Sequence, residues 1–409
     1  MGGVFDDGSK AGRFRSSNQR GPTQRGLNVK IAILGARGIP ACYSGYDTLA
    51  EELSLRLVRA QDISVLVYCR RSYYKTWPAS YQGVQLTYIP VPHLKAVESL
   101  LHSLLSSLHV LTQHADVVYF LDPANAPFCA LLRVLGKRVV IHTDGLGWKR
   151  RKWGRLARRY YKFVEWVCAR SATALVSDNP VMQRYYRQEY GVDSAYIPYG
   201  AESHYGLDDS VFKEFGIEPH GYLLVVARLE PENNTDLVIG EYTRTNLNRP
   251  LVIVGDSPYN PDFMARLRAL ADRRVIFAGR LSDQPKLNSL YAGAYVYIHG
   301  HEVGGTNPSL LRALHAGTAP VVLDISFNTA VVGEAGYVFN KDSGNLARML
   351  EGLARNPDEV KQVGERAKAR AQALFNWDAV AREHARVFKA IAREHPNFFK
   401  ATIADKNRP

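Results

Sequence analysis

The sequence predicts an α/β protein built from two doubly wound, Rossmann-like halves. Three observations carry that prediction. Short apolar runs rich in Val, Ile and Tyr recur along the chain, and helical periodicity fills most of the gaps between them. The alternation then restarts after a turn containing Pro and Gly at "AYIPYGAE", Ala195 to Glu202. A length of 409 residues suits two domains better than one, and 46% hydrophobic residues supply material for two cores.

Taken in order, residues 1–28 read as a disordered, basic, Gly- and Ser-rich tail, with no apolar stretch of the kind a secretory signal needs. Residues 29–197 form the expected N-terminal domain. It opens on the buried strand "VKIAILG", continues through the helical pattern "YDTLAEELSLRLVRA", and supplies strands at "ISVLVYC", "VQLTYI", "DVVYFL", "KRVVIHT" and "ATALVS". The most apolar long segment, "VESLLHSLLSSLHVLT" (Val97 to Thr112), is interrupted by His and Ser. It fits an amphipathic helix rather than a membrane span of roughly 20 residues.

Between Trp148 and Arg170 the chain carries nine Lys or Arg, one Glu and interleaved aromatic residues. Three readings are open: a membrane-surface helix, a solvated helix flank, or a nucleic-acid face. Amphipathic rings beside cations favour the headgroup region, and no nucleic-acid-binding motif supports the last reading.

Residues 198–375 form the expected second domain, with strands at "YLLVVARL", "PLVIVG", "RVIFAG", "AYVYIHG" and "APVVLD". Within it, "HGHEVGGTNPSLLRALHAGTAPVV" (His299 to Val322) joins a strand to a helix. Asn307 is a good N-cap, Pro308 fits the first turn, and Gly317 supplies a left-handed stop, which predicts a helix over Pro308–Ala316. In parallel sheets ligands bind where strand ends meet helix starts. The loop Gly304-Gly305-Thr306 can bring bare backbone N–H groups to an anion, and the helix dipole adds to the attraction. A phosphate-bearing ligand follows, with a plain sharp turn closing a βα unit as the alternative. His299 and His301 alternate along the strand end, with no third ligand at metal spacing. Residues 376–398 read as a helix returning toward the N-terminal domain and 399–409 as a tail.

Composition narrows the function classes. The formal charge of +13 favours anionic partners, and the scattered Cys42, Cys69, Cys129 and Cys168 fit a reduced, cytoplasmic protein. "GARG" after the first strand lacks the dinucleotide spacing, which leaves a nicotinamide dehydrogenase ranked last, and no phosphate-loop motif of ATPases is present.

Several segments together resemble one family: "ILGARGIPACYSGYDTLAEEL", "DGLGWKRRKWGRLARRYYKFVE", "YIPYGAE", "VVARLEPENN", "IVGDSPY" and "YIHGHEVGGTNPSLLRAL". They are similar to the family 4 retaining glycosyltransferases of the GT-B fold, and more narrowly to a rhamnosyltransferase-like branch of bacterial surface polysaccharide synthesis. The resemblance covers roughly residues 29–390. It implies two Rossmann-like domains facing a central cleft, a nucleotide-sugar donor such as dTDP-rhamnose, no metal or other cofactor, and a lipid-linked saccharide acceptor. It also implies a cytoplasmic protein held peripherally at the inner, anionic membrane face, with no nucleic-acid partner.

The resemblance also assigns residues. Arg228 should reach the donor diphosphate, with a surface ion pair as its plainer role. A Lys expected five positions later is Asn233 here, so Gly304, Gly305, Thr306, Asn307 and the Pro308 helix should carry more of the charge. Gly38 and Gly45 belong to the loop approaching the donor phosphates, and His301 and Glu302 flank the sugar. Asp144 should position the acceptor hydroxyl while a donor phosphate oxygen takes its proton, or serve as a turn-forming Asp. Asp47, Trp148, Lys149, Arg150, Arg151, Lys152 and Trp153 fall on the acceptor or membrane side, although Asp47 also suits an ordinary first helical turn.

Two residues depart from the family pattern. Arg312 stands where a ribose-binding Glu is expected, and Gly147 where an acidic residue is expected. Arg312 either pairs with a phosphate or disables ribose binding, so a catalytically silent GT-B protein is the second reading.

Overall fold

The computed structural model describes residues 28–393, except 43, 61, 93–96, 150–153, 202–205 and 258–259. Its N-terminal sheet contains β1 (Val29–Leu34), β2 (Ile63–Arg70), β3 (Ser80–Tyr81), β4 (Val84–Ile89), β5 (Val117–Leu121), β6 (Val139–Thr143), β7 (Ala174–Ser177) and β8 (Ala195–Tyr196). The order is β3-β4-β2-β1-β5-β6-β7-β8, parallel except for β3 against β4. β1, β5, β6 and β7 lie almost wholly inside, which is why they read as continuous apolar runs rather than alternating ones. Helices α1 (Gly45–Arg59), α2 (Glu98–Leu111), α3 (Ala126–Val134), α4 (Arg155–Ser171) and α5 (Pro180–Tyr190) connect the strands. α2, α3 and α4 pack side by side as one layer on the sheet.

The C-terminal sheet has β9 (Leu223–Val226), β10 (Leu251–Val254), β11 (Val275–Gly279), β12 (Val296–His299), β13 (Ala319–Leu323) and β14 (Tyr337–Phe339), all parallel in the order β11-β10-β9-β12-β13-β14. Its helices are α6 (Asp209–Phe215), α7 (Thr235–Thr243), α8 (Pro261–Leu270), α9 (Gln284–Ala292), α10 (Pro308–Ala316), α11 (Ser326–Val332), α12 (Asn345–Arg355) and α13 (Pro357–Leu374). The last, α14 (Trp377–Arg393), packs on α1, β1 and β5 of the first sheet.

The two passages between halves run side by side, where Ala201 N–H donates to Phe375 O at 3.1 Å. A Cβ on Gly200 would lie 2.5 Å from the Trp377 ring, so glycine permits this close approach. α14 is fixed by Arg56 to Asp378 at 2.9 Å and by a buried polar chain. In that chain the Tyr119 hydroxyl lies 2.8 Å from His142 Nδ1 and 3.0 Å from His384 Nε2. Burial pushes His142 down to about 3 and His384 to about 4, so both are neutral at ordinary pH.

Candidate active site

On the C-terminal side, β9 runs out to Arg228, which is exposed and has no ion-pair partner among the described residues. Asn233, at the place of the family's Lys, supplies no charge but braces this loop, its Nδ2 donating to Arg228 O at 2.6 Å. The next residue, Asn234, adopts φ 53° and donates to Gly300 O at 2.7 Å. Glu302 N–H donates to Glu232 O at 3.0 Å, so the turn after β9 is strapped to the loop after β12.

α10 spans Pro308–Ala316, with Asn307 Oδ1 accepting the Ser309 N–H at 3.2 Å and Gly317 at φ 79°. The predicted helix and both caps are therefore realised. His299 and His301 do share one side of the strand end, their rings stacked 4.1 Å apart. Burial and then His301 hold His299 well below the usual histidine range, and Tyr297 OH lies 3.0 Å from its Nδ1. Among the described residues no three His, Cys, Asp or Glu side chains are placed to hold a metal ion.

On the N-terminal side, Ser44 and Asp47 form a reciprocal capping box at the start of α1. Asp47 is buried, accepts N–H bonds from Arg37 at 2.9 Å and Ser44 at 3.0 Å, and pairs with the Arg37 guanidinium at 3.6 Å. It organises the loop, the first-turn role that is its plainer reading. Gly38, at φ 131°, is required because a Cβ there would lie 2.6 Å from Cys69 Sγ. At Gly45 a Cβ would stand 3.5 Å from Pro308 Cγ, so the first turns of α1 and α10 meet across the cleft. Two helix N-termini therefore present their positive ends to one place. Asp144 is half-buried there and hydrogen-bonds Tyr46, whose phenol is raised well above its usual value by burial and then by Asp144.

The Gly-Gly loop does not stand open. Asp178, wholly buried, accepts the Thr306 N–H through Oδ2 at 2.7 Å, while Thr306 Oγ1 donates to Asp178 O at 2.5 Å. Asn179 Nδ2 donates to Phe327 O at 3.3 Å, and a Cβ on Gly145 would lie 2.8 Å from Gly304 C. The Thr306 N–H expected to hold a phosphate holds the other domain's carboxyl in this structure. Sequence reasoning missed Asp178 because "SDNP" reads as an ordinary helix start, and Asn179 does cap α5 by accepting the Val181 N–H at 2.9 Å.

Burial and then Asp144 raise the Asp178 carboxyl well above the ordinary range. Below about pH 4, folded and unfolded states are both protonated there and the contact contributes in full. As pH rises the unfolded state ionises first, so this contribution declines until the folded carboxyl itself ionises. Asp178→Asn, neutral throughout, should therefore gain thermal stability relative to the parent as pH is raised from 5 to 8. Parallel pH curves for the two proteins would contradict this assignment.

Beside this contact lies a cavity of about 500 Å³, lined by Trp148, Lys149 and Arg158 from one domain and Glu302, Asp324 and Phe327 from the other. Lys162 Nζ sits 4.5 Å over the Trp148 ring, whose Nε1 has no hydrogen-bond partner among the described residues. Glu302 forms an ion pair with Lys341, so it enters the site as part of a pair. Arg312 directs its guanidinium at Gln284 Oε1 (2.8 Å) on the first turn of α9 rather than at the α10 N-terminus, one turn away. Arg150, Arg151, Lys152 and Trp153 lie outside the described residues. Arg228, His301, Glu302 and Asp144 thus lie just beyond the C-terminal ends of the interior strands β9, β12 and β6, while Gly38 and Asp47 contribute to the loop's own packing.

Two separate Rossmann-like sheets, with the N-termini of α1 and α10 meeting between them, define the GT-B class. The chain bears this out by likeness. Residues 220–356 match the family described as "Glycosyl transferases group 1", and residues 28–202 match "Domain of unknown function (DUF1972)". Among curated proteins, a glycogen synthase of Deinococcus deserti is 28% identical over 179 residues, 43% of this chain and 40% of the relative. The D-rhamnosyltransferase WbpZ of Pseudomonas aeruginosa is 29% identical over 133 residues, 31% of this chain and 34% of the relative. The chain thus spans less than half the length of these curated relatives. Among solved structures, sucrose-phosphate synthase from Thermosynechococcus elongatus superposes with a TM-score of 0.74 at 16% identity, covering 89% of this chain and 99% of that one. Anabaena Alr3699/HepE in complex with UDP-glucose does so at 0.70 and 14%, covering 88% and 99%.

Proposed function

We propose that this chain is a retaining glycosyltransferase of the rhamnosyltransferase-like branch of family 4. In this reading it moves a deoxyhexose, L-rhamnose from dTDP-rhamnose, to a lipid-linked saccharide in bacterial surface polysaccharide synthesis. It works at the cytoplasmic face of the membrane, held there peripherally. The observation that carries the reading is the meeting of the α1 and α10 N-termini, a Cβ on Gly45 standing 3.5 Å from Pro308 Cγ, within a cleft whose second half matches the group 1 glycosyltransferases. An anion at that point gains from two helix dipoles, and Arg228, exposed and without an ion pair among the described residues, is the cation assigned to it, without a metal ion. Support for the donor class comes from the UDP-glucose bound by a structural neighbour, and support for a deoxyhexose, though not for its L form, from the D-rhamnosyltransferase among the relatives.

Chemically, the acceptor oxygen forms its bond to the anomeric carbon as the bond to the donor phosphate breaks on the same face. The acceptor proton passes to the departing phosphate oxygen. Arg228 stabilises the charge that grows on the diphosphate, and Asp144, oriented by Tyr46, holds the acceptor hydroxyl. The Glu302–Lys341 pair lies against the sugar hydroxyls. For the donor to use the Thr306 N–H, the Asp178 contact has to open.

A second reading, a catalytically silent GT-B protein that binds a nucleotide sugar or a partner enzyme, is favoured by Arg312 lying against Gln284 in place of a ribose-binding Glu. Mass spectrometry of products separates the two. The protein and Arg312→Glu are incubated with dTDP-, UDP- and GDP-sugars and a lipid-diphosphate saccharide. The expected result is a mass gain of one deoxyhexose from dTDP-rhamnose with the natural protein. Transfer by the Glu variant alone would mean a site switched off at residue 312. Absence of transfer by both, with donor binding retained, would favour the silent reading.

A further inference from the structure

Helix α2 buries a polar stripe and leaves two leucines outside. Its buried positions are Glu98, His102, Ser103, Ser106, Ser107 and Val110, whereas Leu100 is 38% and Leu108 47% exposed. The polar face is made tolerable by local partners. Glu98 pairs with Arg70 at 3.7 Å, and Ser107 Oγ donates to Ser103 O at 2.6 Å. His102 is pushed down to about 3 by burial and then by Arg70, so the ring is neutral. Leu101, Leu105 and Leu111 remain partly buried against the core, while small serines take the most buried positions and Leu100 and Leu108 face outward. Burying apolar side chains drives helix packing, so Leu100 and Leu108 form an apolar stripe that the chain itself leaves uncovered.

The neighbouring helices extend the same surface. α3 ends on Val134, 86% exposed, and α4 carries Leu156 at 82% with Phe163 stacked on Trp166 at a centroid distance of 6.2 Å. Arg133 Nε of α3 donates to Ser171 O at the end of α4 at 3.2 Å, which binds the two helices into one layer. Ten of the seventeen exposed large hydrophobic side chains among the described residues lie on α2, α3, α4 and their immediate ends. Such a concentration marks an interaction face. The acidic residues of these three helices are Glu98 and Glu165, and both are buried. Glu165 accepts from Tyr185 and Tyr190 at 2.8 and 2.9 Å. What the face shows to its surroundings is apolar and cationic, with Arg155, Arg158, Arg159 and Arg170 along α4.

We propose that the α2–α3–α4 face docks on an anionic lipid bilayer, with the leucine side of α2 entering the boundary between headgroups and acyl chains and the α4 cations resting on lipid phosphates. Charge decides against a second copy of the chain. A two-fold interface would set this basic surface against itself. The inference deepens the proposed lipid-linked acceptor, because Arg158 and Trp148 bring the cavity to the rim of the same face. It goes beyond the basic segment alone, since it makes α2 the inserted element.

The test is co-sedimentation of the full chain with phosphatidylcholine vesicles containing or lacking phosphatidylglycerol, read together with Trp fluorescence. It needs no turnover, so its failure is distinct from a failure of the transferase reading. Binding is expected only to the anionic vesicles, weakened by salt, with a blue shift that is lost in Trp166→Phe. Leu100→Asn with Leu108→Asn, both at exposed positions, should weaken binding about tenfold or more while leaving the unfolding midpoint and transfer to a soluble acceptor unchanged. Undiminished binding by that pair would overturn the role of α2. A concentration-dependent dimer that the pair dissociates, with no vesicle binding, would overturn the lipid assignment.

Discussion

Arg228→Ala is expected to lower kcat/KM for sugar transfer by about 10²–10³ while leaving thermal stability within about 0.5 kcal/mol of the parent. The two halves of this expectation rest on the same observation. Arg228 is exposed at the end of β9 and makes no ion pair among the described residues, so truncating it removes nothing that holds the fold. Its loop is braced through the backbone, by Asn233 Nδ2 on its carbonyl at 2.6 Å, and that brace survives the substitution. Because Asn233 brings no second cation, the loss falls on one guanidinium. Arg228→Lys should recover part of the rate, since it keeps the charge and loses the planar fork. Steady-state kinetics on the three proteins decides the matter. A variant within threefold of the parent would mean that the diphosphate is held elsewhere.

How far the sequence was legible follows from the kind of signal each feature leaves. β1 and the other long parallel strands announce themselves because burial on both faces demands apolar runs. The α10 helix could be read to its ends because Asn307, Pro308 and Gly317 each act through local backbone chemistry. β3, β8 and β14, two or three residues long, are too short to carry a period and were not expected. The same limit governs the site. Arg228 and the Gly-Gly loop sit in recognisable segments, whereas Asp178 owes its place to a residue 128 positions away, and no local pattern encodes that. The polar stripe that α2 buries is similarly hidden, for an alternation of Leu and Ser says that two faces exist and not which one the sheet takes.

That long-range contact also makes Gly305 the most sensitive position of the cleft. A Cβ there would lie 2.2 Å from Asp178 Oδ1 and 2.3 Å from Oδ2, inside any allowed separation. The Asp178 side chain is short, wholly buried and tied to Thr306, so it cannot swing aside as a long surface side chain would. Gly305→Ala should therefore force the two domains apart at this point. Overpacking of this kind costs about 1–3 kcal/mol. The expected result is a lower unfolding midpoint and faster proteolysis at the crossing segments around Gly200 and Phe375. Pairing it with Asp178→Ala provides the control, because the smaller side chain leaves room for the new methyl group. If the clash is the cause, the double variant should lose less stability than the sum of the two single variants, a coupling expected of residues in contact. Strict additivity, or an unchanged midpoint for Gly305→Ala, would show that the Asp178 contact does not hold the domains together. Donor affinity gives an independent reading of the same variants. A contact that must open before the Thr306 N–H can meet a phosphate competes with the donor, so Asp178→Ala should bind nucleotide sugar more tightly even as it weakens the closed arrangement.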